Sequence, residues 1–198
     1  MQRLHDRDVT LGKGRLAVGE VVAPFADETL IEAEGADLID IGGESTRPGA
    51  LPLDAAEERR RVLPVVEALA ARVSVPISVD TYRSEVARRA LACGAEIIND
   101  ISGFRFDPEL AAVAAESNAG VVLMHSRGSR QELHTRVEDP DPVRTVLDGL
   151  QDAAAYAMRS GVRRSAIVLD PGIGFGKTPE QSIICIARLS EFKRFGLP

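Results

Sequence analysis

Five times in this chain a short apolar run reaches a polar side chain and gives way to a helical pattern. That repetition limits the fold more than any single residue does. The runs are Ala36–Ile41, which contains Asp40; Val75–Asp80; Ala95–Ile101, with Asn99 and Asp100 near its end; Gly120–Met124, followed by His125; and Ala166–Leu169, followed by Asp170. Each is short and rich in Val, Ile or Leu, the signature of a strand rather than a buried helix. The intervening stretches repeat apolar residues at helical spacing. Over about 54–72 these are Val62, Leu63, Val66 and Leu69, and over 83–93 they are Val86, Ala87, Ala90 and Leu91. A third helix is predicted over 107–117. From Asp141-Pro142 onward a fourth has Val143, Val146, Leu147, Leu150, Ala154 and Ala157 inward, and a last covers 179–192. Strand–helix alternation of this kind predicts a parallel sheet with right-handed crossovers. The polar residues then gather at the C-terminal strand ends, the side on which α/β sheets and barrels place their sites.

Local signals set the boundaries. Asp54 with Glu57 three positions on is an N-cap pair opening the first of these helices, and Pro64 inside it should kink it. Gly94 and Gly161 are helix stops. Before residue 36 the chain is less regular: Leu16–Ala23 predicts a short strand broken at Gly19, and a helix over about 24–34 stops at Gly35.

Two loops carry most of the polar and glycine content. Asp170-Pro-Gly-Ile-Gly-Phe-Gly-Lys-Thr178 ends like a phosphate-cradling loop, but the first glycine which that motif requires falls on Pro171. Proline has no N–H to offer a phosphate, so the nucleotide reading fails. Gly42-Gly-Glu-Ser-Thr-Arg-Pro-Gly49 combines two hydroxyls, a carboxylate and a guanidinium, and could close on an anionic or amide-bearing ligand. Taken singly, each aspartate could be a cap or turn residue, His125 a structural histidine, and Lys177 a solvated lysine. The argument for a shared site rests on five strand ends behaving alike.

Composition narrows the class. The chain is 44% hydrophobic but only 4% aromatic, without Trp, so its core is built from Ala, Val, Ile and Leu, which suits parallel strands buried on both faces. A net charge of −6 argues against a nucleic-acid surface, and Arg59–Arg61 reads as a solvated helix face. Cys93 and Cys185 lack metal-ligand spacing and read as reduced thiols of a cytoplasmic protein. No apolar run approaches a membrane span and no secretory signal is expected at Met1–Arg3, so no membrane partner is expected.

Five motifs together resemble the dihydropteroate synthases, of the pterin-binding barrel family. They are Asp40-Ile-Gly-Gly-Glu-Ser-Thr-Arg-Pro-Gly49, Ser78-Val-Asp-Thr81, Ile98-Asn-Asp-Ile-Ser-Gly103, Val122-Leu-Met-His-Ser-Arg-Gly128 and Leu169-Asp-Pro-Gly-Ile-Gly-Phe-Gly-Lys-Thr178. The resemblance covers about residues 28–195 and implies an α/β fold of the (β/α)8 TIM-barrel type, here incomplete, with five to six βα units. It implies condensation of 6-hydroxymethyl-7,8-dihydropterin diphosphate with 4-aminobenzoate in folate biosynthesis, releasing pyrophosphate, and a sulfonamide target. Asp80 and Asp170 would be catalytic, stabilising positive charge on the pterin methylene, and with Asn99 would read the pterin edge. Met124 and Phe175 would form apolar walls, and Thr46 and Pro48 would close over the aminobenzoate with Arg47 beside them. Asp40, His125, Gly174 and Lys177 complete the implied substrate contacts.

The resemblance also implies Mg²⁺ and a homodimer. The family's metal-binding asparagine motif is absent from residues 1–30, so no metal ligand is assigned. Residues 1–24 are read as a divergent N-terminal segment and 25–198 as a partial barrel domain. The family's last two strands, with their basic residues for the diphosphate, have no counterpart here. The expectation is that this chain alone binds a pterin weakly and turns over poorly. Two alternatives are a non-catalytic pterin-binding paralogue or fragment, and a methyltetrahydrofolate-binding methyltransferase domain, which the Gly-Glu-Ser-Thr-Arg-Pro loop fits less well.

Overall fold

The computed structural model describes residues 18–22, as backbone, and 35–198. Six strands among them form one sheet: β1 (Val18–Val22), β2 (Leu38–Gly42), β3 (Ile77–Asp80), β4 (Ile97–Asp100), β5 (Gly120–Met124) and β6 (Ile167–Asp170). Their order across the sheet is their order in the chain, and every neighbouring pair is parallel. With right-handed crossovers, an unreversed order places every connecting helix on the same face. A doubly wound sheet would reverse at a switch point instead. The architecture is therefore the barrel type, with β1 and β6 as the two ends of the arc among the described residues. β1 passes through Gly19 without the expected break, and the helix expected over 24–34 lies outside the described residues.

Five α-helices are described: α1 (Ala55–Ala70), α2 (Ser84–Cys93), α3 (Glu109–Glu116), α4 (Pro142–Arg159) and α5 (Pro179–Ala187). Asp54 caps α1, accepting the Glu57 N–H at 2.7 Å, and the helix continues through Pro64. The basic run Arg59–Arg61 faces outward in ion pairs, Arg60 and Arg61 with Glu57 and Arg59 with Glu85. Gly94, at φ +115°, ends α2 in the left-handed conformation that glycine adopts without penalty. Thr178 and Gln181 form a reciprocal capping box at α5, with Pro179 in its first turn. The expected last helix is shorter than 179–192: α5 stops at Ala187 and a 3-10 segment, Leu189–Phe195, follows.

Strand parity divides the sheet into two surfaces. Ile39, Ile41, Ile77, Val79, Ile98, Val121, Leu123 and Ile167 lie on the helix-facing side, in one core with Val62, Val66 and Leu69 of α1 and Ala87 and Ala90 of α2. Burying each of the larger aliphatic side chains contributes about 1.5–3 kcal/mol. The opposite, inner face is not apolar throughout, as two-sided burial of the strands would require. It carries Asp40, Ser78, Asp80, Asn99, Met124 and Asp170, and its Val122 and Val168 remain partly exposed. Asp40, which interrupts an apolar run in the sequence, falls on this polar face.

Candidate functional site

Register brings the inner-face groups into layers. Gly42 pairs with Asp80, Asp80 with Asn99, Asn99 with Val122, and Val122 with Val168. One layer further toward the C-terminal ends, Met124 pairs with Asp170. Asn99 Nδ2 donates to Asp40 Oδ2 at 2.9 Å, so the buried Asp40 fixes the orientation of the Asn99 amide. Asp80 and Asp170 are half-buried. Burial raises the Asp170 pKa, against the opposing pull of the Gly172 N–H and the Lys177 ammonium. The arrangement offers carboxylates and an oriented amide to a planar, donor-rich edge.

Asp100 belongs elsewhere. Its parity turns it from Asn99 to the opposite surface, where it is fully buried. Its Oδ1 accepts from Ser102 N–H at 2.8 Å and Ser102 Oγ–H at 2.7 Å, and its Oδ2 from Phe104 N–H at 2.5 Å. It holds a turn in which Phe104 adopts φ +69°.

The glycine loop after β6 is fixed from behind. Asp170 Oδ1 accepts the Gly172 N–H at 2.7 Å. Lys177 is 3% exposed, and its ammonium donates to Gly172 O at 2.8 Å and Phe175 O at 3.2 Å, with His125 Nδ1 at 3.3 Å. The His125 ring packs against Gly149 of α4, where a Cβ would lie 2.6 Å from ring carbon Cδ2. A mid-helix glycine costs about 1 kcal/mol relative to alanine, and here it makes room for the imidazole. Lys177 and His125 thus hold the loop, while Phe175 is half-buried and Gly174 exposed at its tip.

The loop after β2 is fixed by a cluster that the sequence reading did not single out. Glu44 accepts Leu53 N–H at 3.0 Å, Tyr82 Oη–H at 3.3 Å, Arg83 at 3.0 Å and Arg130 Nε–H at 2.7 Å. Burial alone would push the Glu44 pKa up; the Leu53 N–H, Arg130 and Arg83 outweigh it and hold Glu44 below its ordinary value. Arg83 also pairs with buried Glu58 and donates to Leu53 O. These residues anchor a loop whose Thr46 is half-buried and whose Arg47 and Pro48 are exposed. The partners lie 39 and 86 positions from Glu44, so no local pattern marks them.

Among the basic groups near the strand ends, Arg47 is exposed, Arg127 is paired with Asp139, and Lys177 is committed to the loop. Among the described residues no group of three or more His, Cys, Asp or Glu could hold a metal ion. Cys93 and Cys185 are free thiols. No described helix is long and apolar enough to cross a membrane.

The profile of a family described as "Pterin binding enzyme" matches residues 26–198. Dihydropteroate synthase of Synechocystis sp. is 44% identical over 171 residues, 86% of this chain and 59% of that protein. Dihydropteroate synthase of Xanthomonas albilineans, solved with 4-aminobenzoic acid, superposes with a TM-score of 0.83 at 36% identity, covering 92% of this chain and 70% of that one. The Burkholderia cenocepacia enzyme complexed with 7,8-dihydropteroate superposes with a TM-score of 0.81 at 41% identity, over 91% and 66% of the two chains. The chain thus spans about three-fifths of the length of the Synechocystis relative.

Proposed function

The chain belongs to the pterin binding enzyme family, and from that premise we propose that it carries a dihydropteroate synthase site. The reaction joins 4-aminobenzoate to 6-hydroxymethyl-7,8-dihydropterin diphosphate: the aryl amine forms the new C–N bond at the pterin methylene, pyrophosphate leaves with the C–O electrons, and the amine loses a proton. The observation that carries this reading is the set Asp80, Asn99 and Asp170 on one face at the strand ends, with Asn99 oriented by Asp40. A pterin presents ring N–H groups and an exocyclic amine along one edge, and two carboxylates with an amide are their acceptors. As the diphosphate departs, positive charge grows on the methylene, and carboxylates at Asp80 and Asp170 favour that state over the neutral ground state.

The remaining groups divide by place. Met124 and Phe175 supply apolar walls for the ring. Thr46, Arg47 and Pro48 lie on the loop proposed to cover the aminobenzoate, and Gly174 lies at the exposed tip of the facing loop. Lys177 and His125 serve by holding that loop. Magnesium belongs to the same proposal, although among the described residues no group of three or more His, Cys, Asp or Glu could hold it. The same proposal includes a cytoplasmic setting, supported by the free thiols, and a homodimer, for which the exposed Ile183, Ile186 and Leu189 offer an apolar face.

The test is calorimetric titration of the purified chain with 6-hydroxymethyl-7,8-dihydropterin diphosphate, beside an Asp80→Asn variant of equal thermal stability. Binding by the parent chain, weakened in the variant, supports the reading. Absence of binding by a cooperatively folded parent chain would overturn it.

A further inference from the structure

One segment touches both loops that flank the inner face. After β5 the chain makes a capped turn: Glu132 accepts from Ser129 N–H and Oγ–H, each at 2.8 Å. Leu133 is then fully buried, in a small cluster with Ile101 and Met124 against which Phe175 packs. From Arg130 within this turn and His134 just after it, two side chains reach across. Arg130 Nε–H donates to Glu44 at 2.7 Å, and its Nη2 donates to Ser45 O at 3.0 Å. His134 Nε2 bonds to Thr46 O, and because a carbonyl only accepts, that nitrogen carries the proton. The same imidazole stacks on Phe175, with ring centroids 5.2 Å apart and planes at 30°. Further along, Gln181 Nε2 donates to Val137 O at 3.1 Å and holds the far end of the segment to α5.

We propose that the 129–137 segment is a strap and that His134 is its positioning residue, joining the 42–53 loop to the glycine loop as one wall of the second-substrate site. A loop held only at its ends samples many conformers, and each must be lost when a ligand binds. A wall already tied through His134 has lost them beforehand, which favours the binding of a small planar aromatic acid. The imidazole suits this task because a single rigid ring supplies both a donor for the Thr46 carbonyl and a face for Phe175. The aromatic-acid part of the inference rests on the function proposed above; the coupling of the two loops does not.

Amide hydrogen exchange of the full chain separates the two. In His134→Ala, peptides covering 43–53 and 172–177 should both exchange faster, by about fivefold or more, the factor worth roughly one net hydrogen bond. Peptides from β4 and α4 should be unchanged. His134→Gln, which keeps an N–H for the Thr46 carbonyl, should restore slow exchange in 43–53. Phe175→Leu, on the other loop, should speed exchange in 43–53 across the bridge. In titrations with the pterin present, 4-aminobenzoate affinity should fall several-fold in His134→Ala, and by more than pterin affinity, because Asp80 and Asn99 lie outside both loops. Unchanged exchange in both loops, or equal acceleration throughout the chain, would overturn the strap. A parent chain that binds neither compound would overturn the proposed function, and the exchange pattern would still decide the strap.

Discussion

The ammonium of Lys177 stands 3.3 Å from Nδ1 of His125, and both side chains are buried. A protonated lysine can only donate, so Nδ1 accepts and the imidazole is neutral. Burial, followed by the charges of Lys177, Arg127 and Arg105, lowers the His125 pKa to about 3. Burial likewise brings Lys177 down to about 8. The pair fastens the glycine loop to the end of β5 with little exposed surface.

This pair predicts an acid-sensitive fold. The unfolded chain binds a proton at His125 near its ordinary value of 6.5, while the native chain refuses it until about 3. Between those values the unfolded state holds more protons, so stability falls as pH falls through that window. At pH 4.5 the loss attributable to His125 is about 2–3 kcal/mol relative to pH 7. Urea unfolding at the two pH values should show it. In His125→Asn the difference should shrink, and an undiminished slope would assign the effect to other groups.

Glycines of one loop should differ sharply in tolerance. Gly172 has φ +65°, and a Cβ there would lie 2.1 Å from His125 O. Gly174 has φ +85° with nothing within 4 Å. Gly174→Ala should therefore cost only the backbone strain, about 1–2 kcal/mol. Gly172→Ala adds a backbone collision that no rotamer relieves, and should lower the melting temperature markedly further. Equal shifts would mean the loop moves freely away from β5.

Glu44→Gln tests the clamp on the other loop. The substitution leaves Arg83 and Arg130 facing an uncharged amide in a site where Glu44 is 4% exposed and the two arginines 18% and 13%. Breaking a buried pair costs about 3–5 kcal/mol, and the residual exposure here reduces that to about 2–3 kcal/mol. Because the native Glu44 pKa is depressed, its contribution is present above the ordinary 4.5 and is lost as pH falls through the lowered value. Thermal unfolding of parent and variant should differ at pH 7 and converge in acid.

The strands and most helix limits are legible in the sequence because apolar period and capping residues act locally. β5 spans Gly120–Met124 as its apolar run predicts, and Gly94 and Gly161 follow the ends of α2 and α4. Which face an aspartate takes is not local: Asp40 and Asp100 both sit in apolar runs, yet register puts one on the inner face and the other against the helices. The Glu44, Arg83 and Arg130 cluster was invisible for the same reason, since only the folded sheet brings those positions together. For Lys177 the sequence leaves a solvated side chain open beside a substrate contact, and only the folded loop decides its burial, by turning the Gly172 and Phe175 carbonyls onto the ammonium.

Asp100 and Asp170 put that distinction to a direct test, because each is an aspartate at a strand end. Asp100 accepts three hydrogen bonds from its own turn and, among the described residues, none from across the sheet. In Asp100→Asn one accepting oxygen becomes a donor, leaving the Phe104 or Ser102 N–H unsatisfied in a fully buried position, at a cost of about 1–3 kcal/mol. Asp170 accepts one bond from its own loop, from Gly172 N–H, which an asparagine oxygen can still accept. Asp170→Asn should therefore change stability by less than about 1 kcal/mol, yet weaken pterin binding by about 10–100-fold, the range expected for losing hydrogen bonds to a charged acceptor. Paired measurements of unfolding and pterin titration on both variants decide it. A stable Asp100→Asn that loses the pterin, or an Asp170→Asn that unfolds and keeps its affinity when refolded, would mean that strand register does not separate the structural carboxylate from the binding one.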